Sequence, residues 1–122
     1  MGYRSELKVL IYPQSGEDNL MEYERLKTLM NTTFKKVLDY WEDPYFIWDD
    51  KHRMLMFSAD HIKWYESYPE VAEFEHFIEM IDGLGYEYEF MRIGENDDDI
   101  ETRSSRDANW YLSLRRSIEV DL

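Results

Sequence analysis

The spacing of apolar residues changes period along the chain, and this change most constrains the fold. Near the N-terminus Leu7, Val9 and Ile11 alternate with other residues, as in a strand with one buried face. Beyond Pro13 the apolar residues recur three and four apart, which is typical of an amphipathic helix. They are Leu20, Tyr23, Leu26, Met30, Phe34, Val37 and Trp41. The pattern predicts a strand followed by one helix over residues 19–41.

The middle of the chain predicts a hairpin and a second helix. The segments PYFIW and RMLMFS flank the polar turn DDKH, so we expect antiparallel strands over residues 45–48 and 53–58. After a connector, ADHIKWYE, Ser67 and Glu70 stand three apart with Pro69 between them, the pattern of a capping box. The apolar stripe of this helix is Val71, Phe74, Phe77, Ile78 and Ile81.

Two more strands are predicted toward the C-terminus. Gly83 and Gly85 supply left-handed conformations that end the second helix. The segment YEYEFMRI then alternates, with Glu87 and Glu89 opposite its aromatic residues. The inward residues of a final strand, WYLSLRRSIEV, would be Trp110, Leu112, Leu114, Ile118 and Val120. That register places Arg116 among apolar neighbours unless a bulge turns it outward.

The order of these elements predicts an α+β fold. Strand, helix, strand, strand, helix, strand, strand matches a ferredoxin-like βαββαβ sandwich with an additional C-terminal β-strand. In that plan two helices cover one face of an antiparallel sheet and leave the other face partly open to a partner. A length of 122 residues indicates a single domain over residues 1–122.

Charge and composition restrict the partners. The chain carries 27 acidic and 14 basic residues, a net charge of −13, yet 43% hydrophobic residues supply enough apolar surface to fold. Such a surface repels nucleic acid and anionic lipid and attracts basic proteins, although its acidity is equally explained by solubility. The chain has no cysteine, no signal-peptide pattern and no apolar run near roughly 18 residues. We therefore expect a soluble cytoplasmic protein.

The acidic run GENDDDIETRSSRD admits three readings: a solvated strand connection, a contact for a basic partner, or a cation site. The first is favoured. Asp97, Asp99 and Glu101 fit the start of a calcium loop, but Thr102 and Ala108 stand where its glycine and closing glutamate belong. We therefore predict no metal and no cofactor. The residues that would contact a partner are Asp97, Asp98, Asp99 and Glu101.

No catalytic motif is present in the sequence. His52, His61 and His76 lack the HxT, HxS or HExxH contexts of histidine-dependent enzymes, and GxSxG, GxxxxGK[ST] and GxGxxG are missing. Carboxylate pairs are numerous, but a chain this acidic produces them by composition. We predict a protein that is not an enzyme.

Crowded aromatic residues provide the remaining candidates for partner binding. They are Trp48, Asp49 and Asp50 in the hairpin, and Trp64, Tyr65 and Tyr68 in KWYESYP. Large aromatics are enriched in cores and at interface hot spots alike, so these residues either close the core and fix the helix entry or form a contact patch. In the second case the tryptophan beside two aspartates would meet arginine or lysine of a partner.

The segments MGYRSELKVLIYP, IKWYESYPEV and MRIGENDDDIE resemble a family of small accessory proteins encoded by tailed bacteriophages. The resemblance spans most of the chain. It implies a protein made inside an infected bacterium, where small acidic folds bind and block host defence or nucleic-acid enzymes.

Three functional hypotheses follow. The leading one is a non-enzymatic, anti-CRISPR-like or nucleic-acid-mimicking protein that binds a basic surface of a bacterial host protein. The alternative is a structural protein that forms a homodimer through its sheet face or a sheet edge. The third is a small-molecule sensor with a pocket between sheet and helices.

Overall fold

The fold is described from a computed structural model for residues 3–41, 45–96, 98–114 and 118–122. Within these ranges the chain forms seven strands and three helices. They are β1 (Ser5–Tyr12), α1 (Asn19–Asn31), α2 (Lys35–Tyr40), β2 (Phe46–Asp49), β3 (Met54–Ile62), α3 (Pro69–Gly83), β4 (Glu87–Ile93), β5 (Ile100–Ser104), β6 (Leu112–Leu114) and β7 (Ile118–Val120).

Five strands form one antiparallel sheet in the order β2-β3-β1-β4-β5. The first strand is therefore central, and both of its neighbours arrive from later in the chain. Leu10, for example, lies opposite Met56 of β3 and Glu89 of β4. The prediction of a mixed α+β fold with an antiparallel sheet is confirmed.

The main core lies between this sheet and the helices. Leu7, Val9 and Ile11 are fully buried, as their alternation predicts. The helical residues of the same cluster come from all three helices and are Leu26, Met30, Val37, Val71, Phe74, Phe77, Ile78 and Ile81. Burying one such large side chain contributes roughly 1.5–3 kcal/mol, so the apolar stripes determine which way each helix faces.

The helix predicted over residues 19–41 is wrong, because the segment forms two helices. α1 ends at Asn31 and α2 begins at Lys35. The Phe34 N–H donates to the Leu29 carbonyl at 2.8 Å, five residues back, and the two β-branched threonines before Phe34 weaken the helix. Phe34 and Val37 are nevertheless buried. The apolar spacing therefore continues across the break and does not reveal it.

The predicted β2–β3 hairpin is confirmed, but β3 is longer than expected. It continues to Ile62 through residues predicted as a connector. Its pairing with β1 shifts register, since Ser5 lies opposite Ile62 but Leu7 lies opposite Ala59. The additional residue is accommodated by a bulge in which His61 adopts a φ of 55°.

Both ends of α3 differ from the prediction. The N-cap is Tyr68, which makes no side-chain cap bond, so the capping box predicted at Ser67 is wrong. Pro69 explains the difference, because a proline forces the residue before it into extended backbone, and Tyr68 has a ψ of 132°. At the other end Gly83 is still helical, whereas Gly85 has the expected left-handed conformation with a φ of 92°.

The C-terminal segment was predicted to be one strand of the main sheet, and this prediction is wrong. The segment forms a separate two-stranded antiparallel sheet of β6 and β7. It packs on the second face of the main sheet, in a cluster that contains Leu10, Tyr12, Met54, Met91, Leu112 and Ile118. The face predicted to be open is therefore partly covered. Trp110 does not point inward, since it is 42% exposed with a φ of 59°. Arg116 lies outside the described residues.

Carboxylates hold this C-terminal sheet in place. Glu89 is fully buried; it accepts hydrogen bonds from the Tyr12 hydroxyl at 2.6 Å and the Leu112 N–H at 3.0 Å. The Tyr12 oxygen in turn accepts from the Asn109 N–H at 2.8 Å. Glu6 accepts from the Ile118 N–H at 3.1 Å. Burial raises the pKa of the Tyr12 phenol, which keeps it a protonated donor to Glu89.

Replacing Tyr12 by phenylalanine tests this network. We expect Tyr12→Phe to lower the free energy of unfolding by about 1–3 kcal/mol, because it leaves a buried carboxylate oxygen and a backbone N–H without a partner. Urea denaturation measures the change. The matched control is Tyr111→Phe, which removes only an exposed bond from the Asn109 side chain and should change stability little. Equal effects of the two variants would contradict the assignment.

The bulge at His61 provides a second test. His61→Gly should stabilise the fold by up to about 1 kcal/mol, because glycine adopts positive φ without the cost that a side chain incurs. His76→Gly, on the exposed side of α3, should instead cost about 1 kcal/mol, as glycine does within a helix. Thermal and urea unfolding compare the two, and destabilisation by His61→Gly would show that its side chain supports the bulge.

Candidate partner-binding surface

The acidic run forms the turn between β4 and β5 and then β5 itself. The turn closes by a hydrogen bond from the Gly94 N–H to the Asp99 carbonyl at 2.8 Å and by one from the Asp99 N–H to the Asn96 carbonyl at 3.0 Å. A side chain at Gly94 would overlap with the Asp99 carboxylate and the Tyr3 hydroxyl. The strand connection predicted here is therefore confirmed for the turn, while β5 was not predicted.

Asp99 is bound from two sides. Arg92 donates from Nη2 to Oδ1 at 2.8 Å and from Nη1 to Oδ2 at 3.2 Å, and the Tyr3 hydroxyl donates to Oδ2 at 2.6 Å. The hydrogen bonds from Arg92 and then Tyr3 lower the pKa of this carboxyl. The negative charge of Asp99 is consequently neutralised by Arg92 of the same chain.

Glu101 continues the same row of paired charges. One Glu101 oxygen accepts a hydrogen bond from Arg92 Nε at 3.1 Å. The other oxygen lies 3.0 Å from Arg103 Nε and forms an ion pair with it, but the two groups are not aligned for a hydrogen bond. Arg103 also binds both oxygens of Glu75 at 2.7 Å and places its guanidinium 3.9 Å from the centre of the Phe90 ring. This row ties β4 and β5 to α3. Of the other predicted contact residues, Asp98 is exposed and Asp97 lies outside the described residues.

The carboxylates of the β2–β3 hairpin are also engaged. Asp49 accepts from the His52 N–H at 3.1 Å and contacts the His52 ring nitrogen Nδ1 at 2.8 Å. Asp50 accepts from the Tyr23 hydroxyl at 2.6 Å and from Lys27 Nζ at 2.9 Å, and these bonds lower its pKa. Trp48 is half-buried, with its ring 5.8 Å from that of Tyr23.

The aromatic residues before α3 are built into the structure. Trp64 is half-buried and packs edge-on against Phe74 at 5.4 Å between ring centres. The Tyr65 hydroxyl accepts from the Tyr3 N–H at 2.7 Å, and its ring lies 5.1 Å from that of Tyr68. These contacts agree with a role in the core and at the helix entry. Use of these three residues by a partner stays a prediction.

A different acidic surface was missed by the sequence analysis. Its signal is that α3 contains five carboxylates and neither lysine nor arginine: Glu70, Glu73, Glu75, Glu79 and Asp82. Glu75 is bound by Arg103, and Glu73 lies 3.9 Å from Lys36. Glu79 and Asp82 are exposed and stand three apart near the helix C-terminus, where like-charge repulsion and the negative end of the helix dipole both disfavour carboxylates.

The start of α1 adds further negative charge beside this helix end. Leu84 and Gly85, directly after α3, line a cleft of about 380 Å³ together with Glu17, Asp18, Glu22 and Arg25, and Arg25 lies 3.6 Å from the Glu22 carboxylate. The Tyr86 hydroxyl, which donates to the Glu22 carbonyl at 3.0 Å, connects the two elements. We call Glu17, Asp18, Glu22, Glu79 and Asp82 the acidic corner. The exposed apolar residues on the same two elements are Leu20, Met21, Met80 and Leu84.

Comparison with known proteins identifies no relative: no family model, curated protein or solved structure matches this chain. Among the residues that the structure describes, no cluster of three or more histidine, cysteine or acidic side chains is placed to hold a metal ion. In the same part of the chain, each helix is too short or too polar to cross a bilayer.

The two adjacent aspartates of the turn test which carboxylates the fold uses. The folded-state pKa of Asp99 lies below its unfolded value, so its contribution is present above the unfolded-state pKa, about 3.9, and is lost as pH falls through the folded-state pKa. Asp99→Asn should therefore lower stability at neutral pH and have progressively less effect in acid. Asp98→Asn should have little effect at either pH. Urea unfolding across this range would contradict the assignment if the two variants behaved alike.

Proposed function

We propose that this protein is a non-enzymatic binding protein that engages a basic surface of another protein through its acidic corner. The observation that supports this most is the pair Glu79 and Asp82 at the C-terminal end of α3. Carboxylates in this position cost folding free energy, and within the described residues no lysine or arginine lies within 4.0 Å of either one. A basic partner would provide the missing positive charge.

The neighbouring apolar residues supply contact area that a partner could bury. Met21 is 60% exposed and Leu20 is 50% exposed on α1, and Met80 and Leu84 are also exposed at the end of α3. Interfaces commonly place apolar anchors within a polar rim. We infer that these side chains contact the partner directly, while the carboxylates steer association and fix its orientation.

For the biological setting we propose a phage-type accessory protein in the cytoplasm of a bacterial host. The resemblance of MGYRSELKVLIYP, IKWYESYPEV and MRIGENDDDIE to phage proteins supports this origin. A basic cleft that normally receives nucleic acid, as in a defence nuclease or a CRISPR effector, would accept carboxylates in place of phosphates. The net charge of −13 favours such a partner and disfavours nucleic acid itself.

For the fold we propose the ferredoxin-like arrangement with one further edge strand. Its support is the antiparallel order β2-β3-β1-β4, with helices connecting β1 to β2 and β3 to β4. The additional strand of the main sheet is then β5, and the β6–β7 sheet is an addition outside that plan.

A homodimer is the second candidate, and the sheet edges favour it. Ile47 on β2 is 53% exposed and Ile100 on β5 is 43% exposed, and both strands lie at edges of the sheet. Unpaired edges are templates for pairing with another chain. The second face is less suited to dimerisation, because the C-terminal sheet covers part of it.

Paired charge variants test the acidic corner. Glu79→Gln with Asp82→Asn should weaken capture of a bacterial protein from lysate, and the captured partner should be released as salt rises above about 0.1 M, where the Debye length is about 10 Å. The matched control, Glu66→Gln with Asp98→Asn, removes the same charge from exposed positions elsewhere.

Two outcomes would contradict the proposal: equal loss in both pairs, or capture that does not depend on salt. Light scattering on the purified protein measures its oligomeric state and so distinguishes the homodimer from a monomer that binds another protein. A dimer that persists at high salt and is disrupted by Ile47→Lys or Ile100→Lys would favour assembly through an edge.

A further inference from the structure

A second region at the C-terminal end of β1 has the features of a small-molecule site. The loop of residues 13–18, the hairpin turn at His52 and Arg53, and Asn109 with Tyr111 enclose a cleft of about 300 Å³. An adjoining cleft of about 270 Å³ shares several of these walls and extends to Glu87 and Asp107. The first cleft alone reaches the lower end of the size range of small-ligand sites, which begins near 300 Å³.

The walls of this cleft are held by hydrogen bonds rather than left mobile. Asn19 Nδ2 donates to the Gln14 carbonyl at 3.0 Å, and the Asn19 N–H donates to the Gly16 carbonyl at 3.2 Å, which fixes the loop. On the opposite side the Asn109 N–H is bound to the Tyr12 hydroxyl at 2.8 Å. A ligand would therefore meet a largely preformed site, with little ordering cost.

Arg53 places positive charge in this otherwise acidic molecule. Its side chain is half-buried; Nη1 donates to Asn19 Oδ1 at 3.2 Å, and no carboxylate of the described residues lies within 4.0 Å of the guanidinium. The backbone at Arg53 has a φ of 54°, a conformation that favours glycine or asparagine. Residues held in such a conformation cluster at binding and catalytic sites. The neighbouring His52 is oriented by its contact with Asp49.

The second cleft carries hydrogen-bond acceptors. Glu87 is buried; one of its oxygens accepts from the Ser105 hydroxyl at 2.9 Å, and the other accepts from Gln14 Nε2 at the longer distance of 3.3 Å. Asp107 is exposed beside it. A ligand that reached from the first cleft into the second would meet a cation at one end and carboxylates at the other.

We propose that these clefts bind a small phosphate monoester whose opposite end donates hydrogen bonds, of the size of a sugar phosphate or a nucleoside monophosphate. The Arg53 fork matches a phosphate group, and the carboxylates match hydroxyl or amino groups. The surrounding negative charge repels polyphosphates and nucleic acid more strongly than a monoester, so the site selects for low ligand charge. The site lies at the strand end and not between sheet and helices.

Calorimetric titration with adenosine 5′-monophosphate and ribose 5-phosphate tests the proposal. At least one of them should bind the wild-type protein, and more tightly than inorganic phosphate or adenosine alone. Arg53→Gln should weaken that binding by about tenfold or more, as expected on loss of a charge-assisted hydrogen bond. The matched control Lys51→Gln removes the same charge from an exposed residue of the same turn and should change affinity by less than about twofold.

Arg53→Gly serves as a second variant, because glycine accepts the backbone conformation and keeps the turn intact. It should fold, as judged by circular dichroism, and lose binding to the same extent. Absence of binding by both monoesters, or equal weakening by the Arg53 and Lys51 variants, would overturn the proposal. Since the acidic corner is unchanged in these variants, capture of a protein partner should not be affected.

Discussion

The hydrogen bond between Tyr12 and the buried carboxylate of Glu89 is the interaction on which the placement of the C-terminal β6–β7 sheet depends. A carboxylate that is fully removed from water is costly unless its oxygens are bonded, and here the phenol and the Leu112 N–H satisfy them. The same bonds place the C-terminal sheet over the apolar side chains of Leu10 and Met91. They also position Asn109, which closes one side of the cleft near Arg53.

The distribution of charge matters more than its sum. With a net charge of −13, almost any surface of this protein would be expected to attract a basic partner. The fold divides the carboxylates into two groups. Asp99 and Glu101 of the β4–β5 region are paired with Arg92, whereas Glu79 and Asp82 at the end of α3 are exposed. The proposed partner binding therefore relies on the exposed carboxylates, while the paired carboxylates stabilise the fold.

Both proposed sites lie near the loop that joins β1 to α1, and they use opposite charges. The acidic corner is formed where this loop meets the end of α3, and the Arg53 cleft is formed where the loop meets the β2–β3 turn. Because β1 is central in the sheet, its end is surrounded by later parts of the chain. This arrangement brings a surface suited to a macromolecule and a cleft suited to a small anion close together, while variants can alter each one separately.

The sequence by itself determined the elements whose apolar spacing repeats, because periodicity reports which face of an element is buried. It therefore predicted β1, the β2–β3 hairpin, the stripe of α3 and the mixed α+β class. It did not predict the break between α1 and α2. Phe34 and Val37, on either side of the start of α2, are both buried, so the apolar spacing continues without interruption. Tertiary structure alone decided that Glu89 is buried, because its partner Tyr12 comes from another strand. The pairing of Asp99 with Arg92 depends on the β4–β5 turn, which was predicted only as a connection without β5. Tertiary structure also decided which carboxylates stay exposed, a property that depends on neighbours distant in the chain and not on local composition.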